Sequence, residues 1–565
     1  MSGSPEDLGR EESMARNLMI QGTMSGAGKS ILTAGILRVL RQDGFRAAPF
    51  KSQNMALNSF VTRDGLEMGR AQAVQAAAAG MEPSADMNPI LLKPMGDAVS
   101  EVIVNGRPIG KMRAADYYRV KKSLVPQILE AYHRLEEQAE IIVIEGAGSP
   151  VEINLREGDF VNMGLAQMVD APVLLAGNID PGGVFAQLLG TVQLMRPEER
   201  ERVKGLIINK FRGDVSLLKP GLSMFREYCD IPFAGVVPWL RLNLDEEDSM
   251  SEKLDGGGSA ARLREANGSV PAEDGSDATG PAQVDIAVIR LPFMSNYTDF
   301  APLEQEPGVN LYYVSKPSEL GTPDLILLPG TRNTLEDLRW LRKSGLAGRI
   351  YELLSLRRAH SAGALKGISS DAPLLMGICG GYQMLGKRIL DPFSSEAGGT
   401  EEGLALLPVE TIFRKEKFTR QSAGSTCRLA GAWTALSDLP VSGYEIHMGE
   451  TVYPGEMDSS RIRQDGLPAG SVFADFGGPD GAVSGNVLGT YLHGIFDEPE
   501  FREALLALLR ERKGTVSLKK GVGIIRAEEN SRLSARQMQD RQLDILADVL
   551  RESLNWKLIY EAIGI

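Results

Sequence analysis

The sequence predicts an α/β protein of two doubly wound domains with a helical C-terminal tail. Three observations carry this. First, short apolar runs alternate with helical patterns, and each run ends in Gly, Asn, Asp or Glu: LMIQG, EIIVIEGAG, APVLLAGNID and VKGLIINKF. Such continuous runs read as strands buried on both faces, hence a parallel sheet with helices on either side. Second, a further series of the same kind begins at VDIAVIRLP and continues through PDLILLPGTRNT, APLLMGICGGYQML and VLGTYLHGIFDEP. Third, the two series are separated by residues 245–283, which are rich in Gly, Ser, Ala and acidic residues. That stretch buries too little apolar surface to offset its ordering entropy and reads as a flexible linker.

In order, the chain divides into a disordered polar tail (1–16), a first α/β domain (17–244), the linker (245–283), a second α/β domain (284–500) and a helical segment (501–565) packed on the domains. The last carries the amphipathic pattern DRQLDILADVLRESLNWKLIYEAIG. A length of 565 residues exceeds one ordinary core. The net charge of −13 disfavours a general nucleic-acid binder, which needs a basic surface to replace counterions. Three cysteines without CxxC spacing argue against a disulfide framework or a zinc site. The N-terminal segment lacks the basic start and apolar core of a signal peptide, and no apolar run reaches the ~18 residues of a membrane span. A cytoplasmic protein without membrane insertion is expected; a homo-oligomer stays open.

In a doubly wound sheet ligands gather at the carboxyl ends of strands. The stretch GTMSGAGKS, residues 22–30, follows a strand and opens a helix, the setting of a phosphate-binding loop. Backbone N–H groups of the turn and the helix N-terminus attract phosphate. The expected ATP-binding set is Thr23, Gly26, Gly28, Lys29 and Ser30. Lys29 would reach the terminal phosphates and Ser30 a Mg2+ ion. Thr23 occupies the place of the usual first glycine, with Gly22 one step earlier. Glu145 ends the strand IIVIE and is a second candidate for Mg2+, against a helix-capping or solvated role. Asp180, before Pro-Gly-Gly, is as readily a turn former. In INKFRGD, Arg212 stands where guanine readers carry Asp, so Asn209 is left as a candidate for an adenine edge. Lys51, at the end of RAAPF, is a candidate for the substrate carboxylate or the γ-phosphate, against a solvated lysine.

The second series raises Cys379 in LLMGICGGYQMLG. Strand, sharp turn and helix make an elbow that exposes a nucleophile at a helix N-terminus, where a thiol pKa falls. Free cysteine is also commonly buried as a small hydrophobe. Of the four histidines, His493 in GTYLHGIFDEP has the best setting for a base, after a strand and beside a turn. The Gly380 N–H, with Gly330 in LLPGTRNT, would form an oxyanion hole.

These residues resemble a known family. ICGGYQMLG with a later YLHGIF looks like a class I glutamine amidotransferase domain of flavodoxin-like sheet. Joined to a dethiobiotin-synthetase-like ATPase domain, with FKSQNMALNS, GRAQAVQAAAAG, MNPILLKP and GYEIHMG, the chain resembles the cobyric acid synthases. The resemblance implies ATP- and glutamine-dependent amidation of carboxylates b, d, e and g of adenosylcobyrinic acid a,c-diamide in cobalamin biosynthesis. The ATP, Mg2+, L-glutamine and corrinoid requirements follow from it. Where many class I amidotransferases place Glu two residues after the histidine, this chain has Ile495. The group orienting His493 is then left open; Glu445 is one candidate, and a backbone carbonyl would also serve. The rival readings are the a,c-diamide enzyme, another amidotransferase-coupled synthetase, and a P-loop regulatory ATPase with an inactive second domain.

Overall fold

The computed structural model describes residues 15–56, 58–96, 99–240, 242, 244, 283–360, 372–453, 472–474, 480–514 and 534–565. The stretch read as a linker, apart from its last residue, lies outside these, as does the N-terminal tail up to residue 14. Arg16 does not belong to a tail: it opens the first strand, its N–H donating to the Glu140 carbonyl at 2.9 Å. By packing, the chain forms two units. One takes in Met1–Ala56, Glu67–Ser249 and Gln539–Ile565; the other Leu57–Leu66 and Met250–Met538.

The first unit is built on six parallel strands. Their spatial order is Phe233–Pro238, Val203–Phe211, Val173–Asn178, Arg16–Gly22, Ile141–Glu145 and Ala47–Phe50. Ile141–Glu145 and Val173–Asn178 are buried along their whole length, as strands covered on both faces must be. Ile20 pairs with Glu145 across the central strands, so the glycine-rich turn after Gly22 and the Glu145 carboxylate leave the sheet side by side. A four-stranded sheet, Gln53–Met55, Ile90–Gly96, Val99–Val104 and Arg107–Arg113, is added beyond the last strand of this series. The chain's final helices, Ala535–Ser553 and Trp556–Ile563, bring Leu543, Leu546, Leu550, Ile559 and Ile563 into the same core as Leu32 and Ile36.

The second unit repeats the logic. Five parallel strands run in the order Val309–Val314, Val284–Ile289, Leu325–Leu328, Leu374–Ile378 and Val487–Thr490, with Ala482–Ser484 antiparallel at the edge. Leu374–Ile378 lies between Leu325–Leu328 and Val487–Thr490. The loops carrying Gly330, Cys379 and His493 therefore all start at the carboxyl ends of three adjacent strands, where such sheets place their ligands. A second sheet, Gly399–Glu402, Arg388–Asp391, Glu410–Thr426 and Pro440–Val452, carries the GYEIHMG stretch. Leu57–Leu66, read from sequence as part of the first domain, packs with this unit. Val61 clusters with Tyr444 and Ile446, and its carbonyl accepts from Gln421 Nε2.

Candidate active sites

At the thiol site the backbone turns sharply. Cys379 has φ 51° and ψ −110°, a left-handed conformation that costs a non-glycine residue about 1–3 kcal/mol. Strain of that size persists where the surroundings hold it in place. Here the Cys379 N–H donates to the Thr490 carbonyl at 2.8 Å, and helix Gly380–Leu385 begins at once. The following turn leaves no room for side chains: a Cβ on Gly381 would stand 2.1 Å from the Leu328 carbonyl oxygen. Cys379 is buried, with its sulfur 3.5 Å from the Ile446 carbonyl oxygen. A Cβ on Gly330 would lie 3.0 Å from His493 Cε1, and one on Gly380 would lie 2.5 Å from Thr331 Cγ2. Cys379, His493, Gly330 and Gly380 thus gather at one point.

His493 is fully buried and held on several sides. Its Nδ1 lies 2.7 Å from Asp299 Oδ2, and Asp299 Oδ1 accepts from the Gly494 N–H at 3.1 Å. The carboxylate therefore grips both the ring and the peptide that follows it. Asn296 Nδ2 stands 3.3 Å from Nε2, and Tyr444 stacks on the imidazole at 5.1 Å. Burial opposes a charge on the ring. The Asp299 charge outweighs it, helped by side-chain hydrogen bonds to Asp299 and Cys379, and the imidazole is pushed up to about 10.

Glu445, the side-chain candidate from sequence for orienting His493, is engaged elsewhere. Its Oε1 accepts from Arg420 Nε at 2.9 Å and Ser422 Oγ at 2.6 Å. Its register on the long strand Pro440–Val452 puts it opposite Arg420. Asp299 takes the orienting place instead. It sits in SNYTDF, past the first strand of the second unit, a stretch that sequence reasoning passed over. A carboxylate following a strand end is the signal that could have marked it. Gln383 is another such residue: it is buried on the Cys379 helix, accepts from Thr334 Oγ1 at 3.1 Å and donates to Tyr491 Oη at 3.3 Å.

In the first unit the phosphate loop is closed by glycines. Gly26 and Gly28 have φ 74° and 84°, conformations that glycine adopts at little cost. Gly22 meets the loop's need for close approach: a Cβ there would stand 2.8 Å from Ala27 Cβ. Thr23 sits in the usual glycine's place with its N–H on the Ala176 carbonyl and its Oγ1 3.3 Å from Gln187 Oε1. Lys29 Nζ donates to the carbonyls of Met24 and Gly148 at 3.3 and 3.2 Å. Glu145 Oε1 accepts from Ser30 Oγ and from Lys51 Nζ, each at 2.9 Å, and Oε2 accepts from Gln75 Nε2. Burial works against the Glu145 charge. Lys51 chiefly, then Gln75 and Lys29, outweigh it and hold the carboxyl below its usual range. Lys51 is thus a buried partner of Glu145, and the loop, Ser30, Lys51 and Glu145 form one cluster.

Asn209 is turned into this loop. Its Nδ2 donates to the Ala27 carbonyl at 2.9 Å and its Oδ1 accepts from the Lys210 N–H, so the amide braces the phosphate loop where an adenine contact was expected. Asp180 pairs with Arg212 at 3.1 Å on the surface, in keeping with the turn reading.

A phosphate loop on one parallel sheet and a Cys–His–Asp constellation at three strand ends of another define a class: synthetases that join nucleotide-dependent activation to glutamine hydrolysis. The CobQ/CobB/MinD/ParA nucleotide binding domain matches residues 18–249, and the CobB/CobQ-like glutamine amidotransferase domain matches residues 285–501. A cobyric acid synthase of Lachnoclostridium phytofermentans is 48% identical over 97% of this chain and 99% of its own length. Those of Photorhabdus laumondii and Clostridium acetobutylicum are 46% and 45% identical, each over 97% of this chain. The chain belongs to the cobyric acid synthase family.

Proposed function

We propose that this chain uses ATP and L-glutamine to convert carboxylates b, d, e and g of adenosylcobyrinic acid a,c-diamide into amides, in cobalamin biosynthesis in the cytoplasm. A carboxylate resists direct amidation because its oxygen is a poor leaving group. An acceptor carboxylate oxygen attacks the γ-phosphorus of ATP, and ADP leaves. The product is an acyl phosphate. Lys29 counters charge on the transferring group, and Lys51 counters that of the acceptor or the γ-phosphate. Ser30 and Glu145 would hold Mg2+, which neutralises phosphate charge. The hard oxygen donors fit it: Ser30 Oγ and Glu145 Oε1 stand 2.9 Å apart at the end of the phosphate loop, and Mg2+ commonly takes one or two protein carboxylates plus phosphates.

At the second site the Cys379 thiolate attacks the side-chain carbonyl carbon of glutamine. Gly330 and Gly380 face the developing oxyanion. His493 delivers its Nε2 proton to the departing nitrogen, and ammonia leaves a glutamyl thioester. Water, deprotonated by His493, releases glutamate. Ammonia then attacks the acyl phosphate, phosphate leaves, and the amide forms.

The observation that carries this reading is the buried Asp299–His493 pair beside Cys379, a complete glutaminase arrangement in a member of this family. The test is Cys379→Ser assayed with the corrinoid acceptor. Loss of glutamine-dependent amidation with ammonia-supported amidation retained is expected. Full glutamine-dependent activity in the variant would overturn the nucleophile. Amidation at a and c alone would assign the chain to the sister reaction instead.

A further inference from the structure

In the first unit a cavity of about 780 Å3 opens beside the phosphate loop. The added four-stranded sheet lines it through Met55, Leu92 and Met112, and Tyr118, Phe160 and Met168 line it from the segments that follow. Loop residues 147–150 line it as well. That loop is fixed from two directions. Asn162 accepts from the Ala147 N–H and donates to the carbonyls of Ala147 and Ser149, while Lys29 Nζ donates to the Gly148 carbonyl at 3.2 Å. A ligand touching this loop is one peptide away from the phosphate-loop lysine.

Two features call for an occupant. Met55, Tyr118 and Met168 line the cavity and stay 58%, 46% and 46% exposed, which the unit's own packing does not account for. The volume is also large. Small-molecule pockets run about 300–1,000 Å3, and one near the upper part of that range takes a broad molecule, not an amino acid. Lys121 adds a cation on the wall, its Nζ 4.6 Å from the Tyr118 ring and 5.8 Å from that of Phe160. Arg156 and Arg196 line the cavity too, as do Glu152, Asp159 and Glu199. Methionine and aromatic surface interleaved with cations and hydrogen-bonding groups suits a flat macrocycle with a rim of carboxylates and amides.

The geometry points to this cavity as the seat of the corrinoid acceptor, an assignment that rests on the acceptor class proposed above. The ring faces lie against the methionine and tyrosine side chains, and one rim carboxylate at a time is directed past Gly148 toward Lys29. Met55, Met112 and Met168 suit that task. Unbranched thioethers repack around a ligand offered in several orientations, as four carboxylates of one molecule reaching one phosphate require.

The test uses the full-length chain with ATP, glutamine and adenosylcobyrinic acid a,c-diamide, and the variants Ala114→Trp and Tyr118→Ala. Both positions are exposed on the cavity wall, so neither change empties a packed core. The corrinoid KM is expected to rise at least tenfold in either variant (about 1.4 kcal/mol), with the ATP KM and acceptor-free glutamine hydrolysis unmoved. A corrinoid KM within twofold of wild type in both variants overturns the assignment. Failure of the acceptor class would look different: the wild-type chain itself would amidate no corrinoid, and the cavity assignment would fall with it.

Discussion

Asp299 supplies what Ile495 does not. The carboxylate is buried, 2.7 Å from His493 Nδ1, and with its other oxygen on the Gly494 N–H it fixes the orientation of the ring. Asp299→Asn keeps the size and removes the charge. Glutamine-dependent amidation is expected to fall by about 10²–10⁴-fold, by the logic of other orienting carboxylates, while ammonia-supported amidation persists. A variant that lost both equally would point to a merely structural residue. The pair also leaves a mark on stability. The folded imidazole is raised from 6.5 to about 10, so its contribution is complete below about pH 6.5 and is lost as pH climbs through about 10. The denaturant midpoint of the wild type should exceed that of Asp299→Asn most at the acid end of that window and converge with it toward the alkaline end. A gap that widened with rising pH would contradict the charge assignment.

At the scale of elements, what could be read from sequence was what is local in sequence. The Gly-Lys-Ser turn lies between one strand and one helix, and the Cys379 elbow between another such pair; strand periodicity and turn chemistry marked both. Asp299 escaped because it lies 194 residues from His493 in an aperiodic stretch. Lys51 and Glu145 were each singled out, but their pairing depends on Ala47–Phe50 lying beside Ile141–Glu145, and strand order is not written in periodicity. Asn209 was assigned by motif to a base edge; only the approach of its amide to Gly28 reveals a brace. The displaced glycine has a testable consequence. Gly22→Ala would put a Cβ 2.8 Å from Ala27 Cβ, and relieving such a clash costs about 1–3 kcal/mol. The ATP KM should rise about tenfold, with glutamine hydrolysis unchanged. An unaltered ATP KM would mean the loop opens freely and Gly22 does not replace the usual glycine.

The whole chain does not follow the order of its two units. It builds most of the first, enters the second, and returns to the first with its last residues. The return is a matter of packing. Leu543, Leu546, Leu550, Ile559 and Ile563 are buried in the core of the nucleotide unit, and a Cβ on Gly35 would lie only 2.3 Å from Leu550 Cδ1. Arg38 adds Asp540 and Asp544 as partners at 3.1 and 2.8 Å. Burying an aliphatic side chain is worth about 1.5–3 kcal/mol, so the five together contribute on the order of 10 kcal/mol. That equals the whole net stability of an ordinary domain. Ending the chain after Ser534 should therefore unfold the nucleotide unit while leaving the Cys379 site assembled, since its strands and loops all lie before that point. Expected is loss of ATP-dependent amidation from either nitrogen source, with glutamine hydrolysis retained and protease cleavage concentrated before residue 240. Amidation at wild-type rate by the shortened chain would show that the first unit holds its core without the returning helices.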